Sequence, residues 1–194
     1  GRVRCNALAV GSGGSLTVGS ISDVYTSSMS TTYSNSLVTA ALDSTHGAVC
    51  VRTSGQYTYC YVLTVSGTSL SSGGSAYGST YYADTLTMSA FDELSVVLCY
   101  RESSYGKCNV LTRSSASANS FTRGSSFTFS NSQVAGGRPM SVTTLTDQRA
   151  IVCYVISSSE AGECGGGCAW EARGGGGGAG GGEKSVGDLI RGIG

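Results

Sequence analysis

The feature that most constrains this chain is a recurring pair of cysteines, each pair set in apolar runs around a glycine-containing turn. Between Val97 and Thr112 an apolar run enters Cys99, a polar segment containing Gly106 follows, and Cys108 opens a second apolar run. That is a β-hairpin pattern with a cysteine on each arm. Cys50 and Cys60 flank Gly55 in the same way, and Cys153 and Cys164 flank Gly162. Eight cysteines permit on the order of a hundred pairings, and the recurrence selects these three local ones. A closed loop of roughly ten residues stabilises by about 2–3 kcal/mol in the chain-entropy model. The rival, a zinc site, needs a close Cys/His grouping that is missing here.

The runs around these cysteines belong to an internal repeat. Cys5-Asn6-Ala7-Leu8-Ala9-Val10 matches Cys60-Tyr61-Val62-Leu63-Thr64-Val65 and Cys108-Asn109-Val110-Leu111-Thr112. A Gly/Ser-rich turn and a second short run follow each: Leu16-Thr17-Val18, Thr68-Ser69-Leu70 and Phe121-Thr122-Arg123. Third runs stand at Leu37 to Leu42, Thr85 to Met88 and Ser141 to Leu145. Fourth runs carry Cys50, Cys99 and Cys153. All are short, rich in β-branched residues and bounded by Gly, Ser, Asn and Asp, which predicts strands. Helical periodicity is absent up to residue 170. The expectation is an all-β domain over residues 1–170, built of three four-stranded antiparallel repeats of about 50 residues each.

In unit size and pattern, from Cys5 to about Cys164, the repeats resemble those of β-propeller-type proteins with one disulfide hairpin per repeat. The resemblance implies blade-like sheets. Propellers usually close with about four to eight blades. Three units therefore imply either several chains completing one ring or a trefoil-like closure. The Gln-x-Trp motif of trefoil lectins is missing, since Trp170 is the single tryptophan. Cys5 occupies the second-cysteine position of a hairpin whose first arm is absent. Cys5 and Cys168 are left over; they either pair and tie the ends together or bridge to a neighbouring subunit.

Charge excludes some partners. Twelve basic and twelve acidic residues cancel, so no basic surplus exists to neutralise phosphates, and nucleic acid is not an expected partner. No apolar run reaches the length of a transmembrane segment. The cysteine usage points to a secreted, extracellular or otherwise oxidising, lumenal setting. The start at Gly1, without Met or signal peptide, fits a processed form or a fragment. There is no Asn-x-Ser/Thr sequon.

After the repeats the composition changes. Glycine dominates residues 171–182, a flexible linker by composition. In residues 183–194, Val186, Leu189, Ile190 and Ile193 fall on one face of a short helix, a candidate docking tail. Gly178 to Ser185 is nearly a phosphate loop, but Glu183 stands where a glycine belongs. His46, the one histidine, sits in a turn beside Asp43, where triad geometry is rare. Asp92 with Glu93, and Glu160 with Glu163, are turn carboxylates. No cofactor or metal is implied. Tyr57, Tyr59 and Tyr105 lie around the hairpins, where aromatics cover a sheet, contact a protein partner or stack on sugars.

The expected function is a non-catalytic structural or accessory subunit of a larger assembly. Its partners are other protein subunits, met through β surfaces and the C-terminal tail. The alternative is a carbohydrate-binding module whose partners are glycans. A hydrolase working through loop carboxylates is the remaining class.

Overall fold

The computed structural model describes residues 2–27, 36–130, 133–156 and 168–171. Among them regular structure is strand alone, in four antiparallel sheets. The first sheet holds β1 (Val3–Val10) and β2 (Leu16–Tyr25). The second holds β3 (Leu37–Ala41), β4 (His46–Arg52), β5 (Thr58–Ser66) and β6 (Ser69–Ser79). The third holds β7 (Ala83–Ala90), β8 (Ser95–Glu102), β9 (Tyr105–Thr112) and β10 (Thr122–Ser130). The last holds β11 (Met140–Thr146), β12 (Arg149–Tyr154) and β13 (Cys168–Glu171). Within every sheet the strands lie side by side in chain order. No helix among the described residues is long and apolar enough to cross a membrane.

The all-β, antiparallel expectation stands, but three four-stranded repeats do not. Two sheets have four strands, and the ends of the described chain carry two and three. The physical reason is pairing across the disulfide turn. Strands β4 and β5 meet at Cys50 and Cys60, and β8 and β9 at Cys99 and Cys108. Each full sheet thus joins the third and fourth runs of one sequence repeat to the first two of the next. Sheet boundaries lie half a unit away from repeat boundaries. Strand β13 runs to Glu171, one residue past the expected domain end. Residues 172–194, with Val186, Leu189, Ile190 and Ile193, lie outside the described residues, as does Cys164.

The sheets pack face to face in chain order through three apolar clusters. Val3 and Val24 of the first sheet meet Val49, Val51 and Leu63 of the second. Ala48, Cys50, Cys60 and Val62 meet Leu86, Val96, Leu98, Tyr100 and Leu111 of the third. Val97, Cys99 and Phe129 meet Met140, Val142, Ala150 and Val152 of the last. Neighbouring residues such as Val49 and Cys50, or Leu98 and Cys99, therefore serve opposite faces. Burial on both faces explains why β4 and β8 read as continuous apolar runs instead of alternating. Each fully buried Val or Leu contributes about 1.5–3 kcal/mol relative to exposure.

Hydroxyls join the sheets where apolar groups do not. Val142 N–H donates to Thr87 Oγ1 at 3.1 Å, Thr144 N–H to Ser89 Oγ at 3.2 Å, and Thr144 Oγ1 to the Ala90 carbonyl at 2.6 Å. The abundant Ser and Thr thus link β7 to β11 without charge. Within the third sheet Arg101 Nη1 lies 2.6 Å from Asp84 Oδ2 of the neighbouring strand, and Arg101 Nε reaches out to the Val134 carbonyl, to which it donates at 2.9 Å.

The hairpins β1–β2, β5–β6 and β9–β10 correspond in detail. Each has a register shift at its open end, away from the connecting turn, and a second one beside the residue after its cysteine. In each, the second shift holds a glycine of the outer strand: Gly19, Gly73 or Gly124. A Cβ on Gly19 would stand 1.9 Å from the Thr68 carbonyl oxygen of the second sheet. On Gly73 it would stand 1.8 Å from the Asn119 carbonyl oxygen of the third. Only glycine lets the next sheet's loop come that close. Gly73→Ala is therefore expected to lower the urea-unfolding free energy by about 1–3 kcal/mol through forced backbone shift. An unchanged unfolding curve would show that the two sheets do not approach there.

Candidate functional site

Three places gather the side chains with chemical potential. The first begins at a turn. Asp43 Oδ1 accepts the backbone N–H of Thr45 at 2.6 Å, that of His46 at 2.8 Å, and the Thr45 hydroxyl at 2.8 Å. His46 Nδ1 lies 2.8 Å from Asp43 Oδ2. The Thr45 amide holds the Asp43 carboxyl down at about 2, with the Thr45 and His46 side chains adding to the effect against a burial cost. The Arg113 side chain, fully buried, reaches Asp43 Oδ2 at 3.8 Å and donates to the Ala118 carbonyl from Nε. A cleft of about 240 Å³ lies beside this turn, lined by Ala7, Leu8, Leu63, Val65 and Leu70 among others.

An aspartate–histidine pair at a cleft is also what a catalytic dyad looks like, but the next turn explains it otherwise. At the same place in the third sheet Asp92 Oδ1 likewise accepts the amide two residues ahead, Leu94 N–H at 2.8 Å, and adds the Ser95 hydroxyl at 2.7 Å. Backbone bonds match too, Leu42 N–H to the His46 carbonyl and Phe91 N–H to the Ser95 carbonyl. The carboxylate closes a β-turn by bonding amides ahead of it. His46 is half-buried and held by this turn. Among the described residues no three His, Cys, Asp or Glu gather as a metal set.

The second place is a tyrosine row across two sheets. Tyr59 on β5 stands opposite Tyr77 on β6. Their rings are 4.8 Å apart and Tyr59 donates its hydroxyl to that of Tyr77 at 3.2 Å. Tyr25 of the first sheet stacks on Tyr59 at 6.4 Å, and Tyr57 meets Tyr77 edge-on at 6.3 Å. The bond to Tyr77, aided by burial, pushes the Tyr59 phenol up to about 12. Tyr57 also joins Gly55, Thr80, Tyr81 and Tyr82 around a hollow of about 170 Å³. Tyr57 and Tyr59 thus share one surface, while Tyr105 stands exposed in a different hairpin. Tyr25 and Tyr77 were not singled out from the sequence. Tyr25 and Tyr77 lie towards the ends of β2 and β6 that face away from their hairpin turns, so the turn chemistry gave no signal for them.

The third place is the set of cysteines with the faces they share. Cys50–Cys60 and Cys99–Cys108 are disulfides. Cys153 is a free, exposed thiol on β12, and its expected partner Cys164 lies outside the described residues. Cys5 is a free, half-buried thiol on β1; Cys168 opens β13, across from Val152. On the first sheet Leu8, Val10, Leu16, Val18 and Ile21 are exposed. Leu8 is 60% exposed, whereas Leu63 and Leu111, its counterparts three residues past Cys60 and Cys108, are 7% and 0%. The sequence does not single out this face, because the three leucines hold equivalent places in the repeat.

Below its ordinary value of 3.8 the Asp43 carboxyl stays ionised in the folded chain and protonates in the unfolded one. The folded state therefore holds this contribution above about pH 4 and loses it as pH falls towards about 2. Asp43→Asn is expected to flatten that acid limb in urea midpoints measured against pH; an equally steep limb would mean that the turn bonds do not hold the carboxylate. Neither a family model nor a curated protein nor a solved structure matches this chain.

Proposed function

We propose that the chain is a non-catalytic structural subunit of a larger assembly, its sheets serving as blades of a propeller-type ring. The observation that carries this reading is the exposed apolar face of the first sheet. Leu8, Val10, Leu16, Val18 and Ile21 lie where the second and third sheets bury the corresponding leucine against the sheet before them. An exposed apolar face of this kind on a molecule with no net charge marks a protein contact. The two disulfides fit an oxidising compartment. The turn role of Asp43 and Asp92 supports structure over catalysis at those carboxylates.

The test is the mass in solution, by light scattering across a concentration series. The parent chain is expected to assemble. The double variant Leu8→Glu with Val18→Glu, altered only at exposed positions, is expected to weaken association at least about tenfold, the effect of about 1.4 kcal/mol. A parent chain that stays monomeric throughout, or a variant that assembles equally well, sinks the reading.

The hollow beside Tyr57, Tyr81 and Tyr82 favours a second reading, a glycan-binding module. Exposed aromatic faces beside small polar groups suit stacking on sugar rings. Calorimetric titration with a panel of oligosaccharides tests it. Binding abolished by Tyr57→Ala and Tyr81→Ala together is the expected result under that reading, and silence across the panel removes it.

A further inference from the structure

The two incomplete sheets of this chain are complementary halves. The last sheet begins like the complete ones, with an inner strand, β11, and a first-cysteine strand, β12. The first sheet is the other half, a second-cysteine strand, β1, and its outer neighbour, β2. We infer that a second copy of this chain completes the last sheet: its β1–β2 hairpin pairs with β12, and its Cys5 forms a disulfide with Cys153. This deepens the assembly reading above and rests on it.

Register supports the pairing. Cys50 lies directly across from Cys60, and Cys99 directly across from Cys108. Setting Cys153 across from the second copy's Cys5 places Ala150 across from Leu8. The complete sheets pair Gly47 with Leu63 and Val96 with Leu111 at that position. In the single chain this edge of β12 is taken by β13, only four residues long. Strand β13 sets Cys168 across from Val152, one place out of the disulfide register. Strand β1 has eight residues and the cysteine at the right place.

Facing supports it independently. The Cys50–Cys60 and Cys99–Cys108 bridges belong to the clusters each sheet forms with the sheet that follows. Cys5 likewise packs against the second sheet of its own chain. Val152 packs on the preceding sheet, so Cys153, its neighbour, faces away and is exposed. In the composite sheet Cys153 and Cys5 lie on one face, covered by the second sheet of the donating copy. The exposed leucine finds its place too, since Leu8 would turn towards the third sheet of the receiving copy.

A third observation comes from the outer edge. Gly19 and Gly73 each make room for a loop carbonyl of the next sheet's outer hairpin. Gly124 holds the same position in the third sheet, yet the nearest atom to a Cβ there is its own sheet's Val110 carbonyl, at 3.2 Å. The room it leaves suits the β1–β2 turn of a second copy. Head-to-tail donation in both directions gives a closed pair with three sheets per copy, and six sheets fall within the about four to eight of closed propellers.

The bond needs an oxidant, and a small disulfide such as oxidised glutathione supplies it by exchange. The exposed Cys153 thiolate attacks one glutathione sulfur and releases the other as a thiolate. The Cys5 thiolate then attacks the Cys153 sulfur and displaces the second glutathione. Two protein thiols are oxidised and one glutathione disulfide is reduced, the released thiolates taking up the two protons. Burial raises the Cys5 thiol above its usual range, so its attack depends on being held against the activated Cys153.

The experiment mixes isotope-labelled and unlabelled full-length chains in a glutathione redox buffer, followed by non-reducing electrophoresis and peptide mass mapping. A Cys5–Cys153 peptide pair carrying one label is expected. Cys5→Ser and Cys153→Ser chains should each give no covalent dimer alone and a singly linked dimer when mixed. Gly124→Ala, which keeps the parent thiols, should cut the linked fraction at least about tenfold, about 1.4 kcal/mol. Cys153 found with Cys164 or Cys168 of the same chain, or Cys5 with Cys168, overturns the inference. So does light-scattering assembly, sensitive to Leu8→Glu, with Cys5 and Cys153 still free; the assembly reading then survives. A monomer under all conditions ends both.

Discussion

Apolar contact between successive sheets is the interaction on which everything else here depends. No sheet encloses a core by itself; each is one layer, and its buried side chains belong to the spaces before and after it. Strands β4 and β8 show this most directly. Val49 and Val51 serve one space while Ala48 and Cys50 serve the next, and Val96, Leu98 and Tyr100 alternate with Val97 and Cys99 in the same way. Disulfides sit in these spaces as apolar groups, tying the two central strands of each four-stranded sheet. Their cross-links restrict the unfolded chain while their sulfurs fill volume in the folded one.

Much of this was legible in the residues. The cysteine-flanked turns predicted two hairpins that form with their cysteines directly opposed. Short runs of Val, Leu and Thr bounded by Gly and Ser predicted the strands. What could not be read was where one sheet stops and the next begins. A sequence repeat can be cut at any point in its period, and only hydrogen bonding across Cys50–Cys60 and Cys99–Cys108 shows which runs pair. A unit that begins at Cys5 therefore straddles two sheets, β1 and β2 in one and β3 and β4 in the next.

The candidate sites were less legible for a similar reason. Tyr59 was visible as an aromatic near a turn, but its partner Tyr77 lies across a hairpin whose register depends on a strand shift between Thr58 and Tyr59. The Asp43–His46 pair reads as chemistry in one turn and as turn closure once Asp92 repeats it without a histidine. Exposure is harder still. Leu8 is chemically identical to Leu63 and Leu111, and only the three-dimensional neighbours distinguish them.

The layering also gives the molecule an uneven resistance to opening. In a row where each layer touches only its neighbours, stability is a sum of single layers and the spaces between them. The second and third sheets each have a neighbour on both sides and four strands with an internal cross-link. The first sheet has two strands, a free thiol and one neighbour. Its amides should exchange with solvent through local fraying long before those of β4 and β8, which open only with the whole. Among the described residues, the sheet that leaves Leu8 and Val18 exposed is thus also the one with the greatest freedom to rearrange, and the cross-linked middle supplies a fixed frame from which it moves.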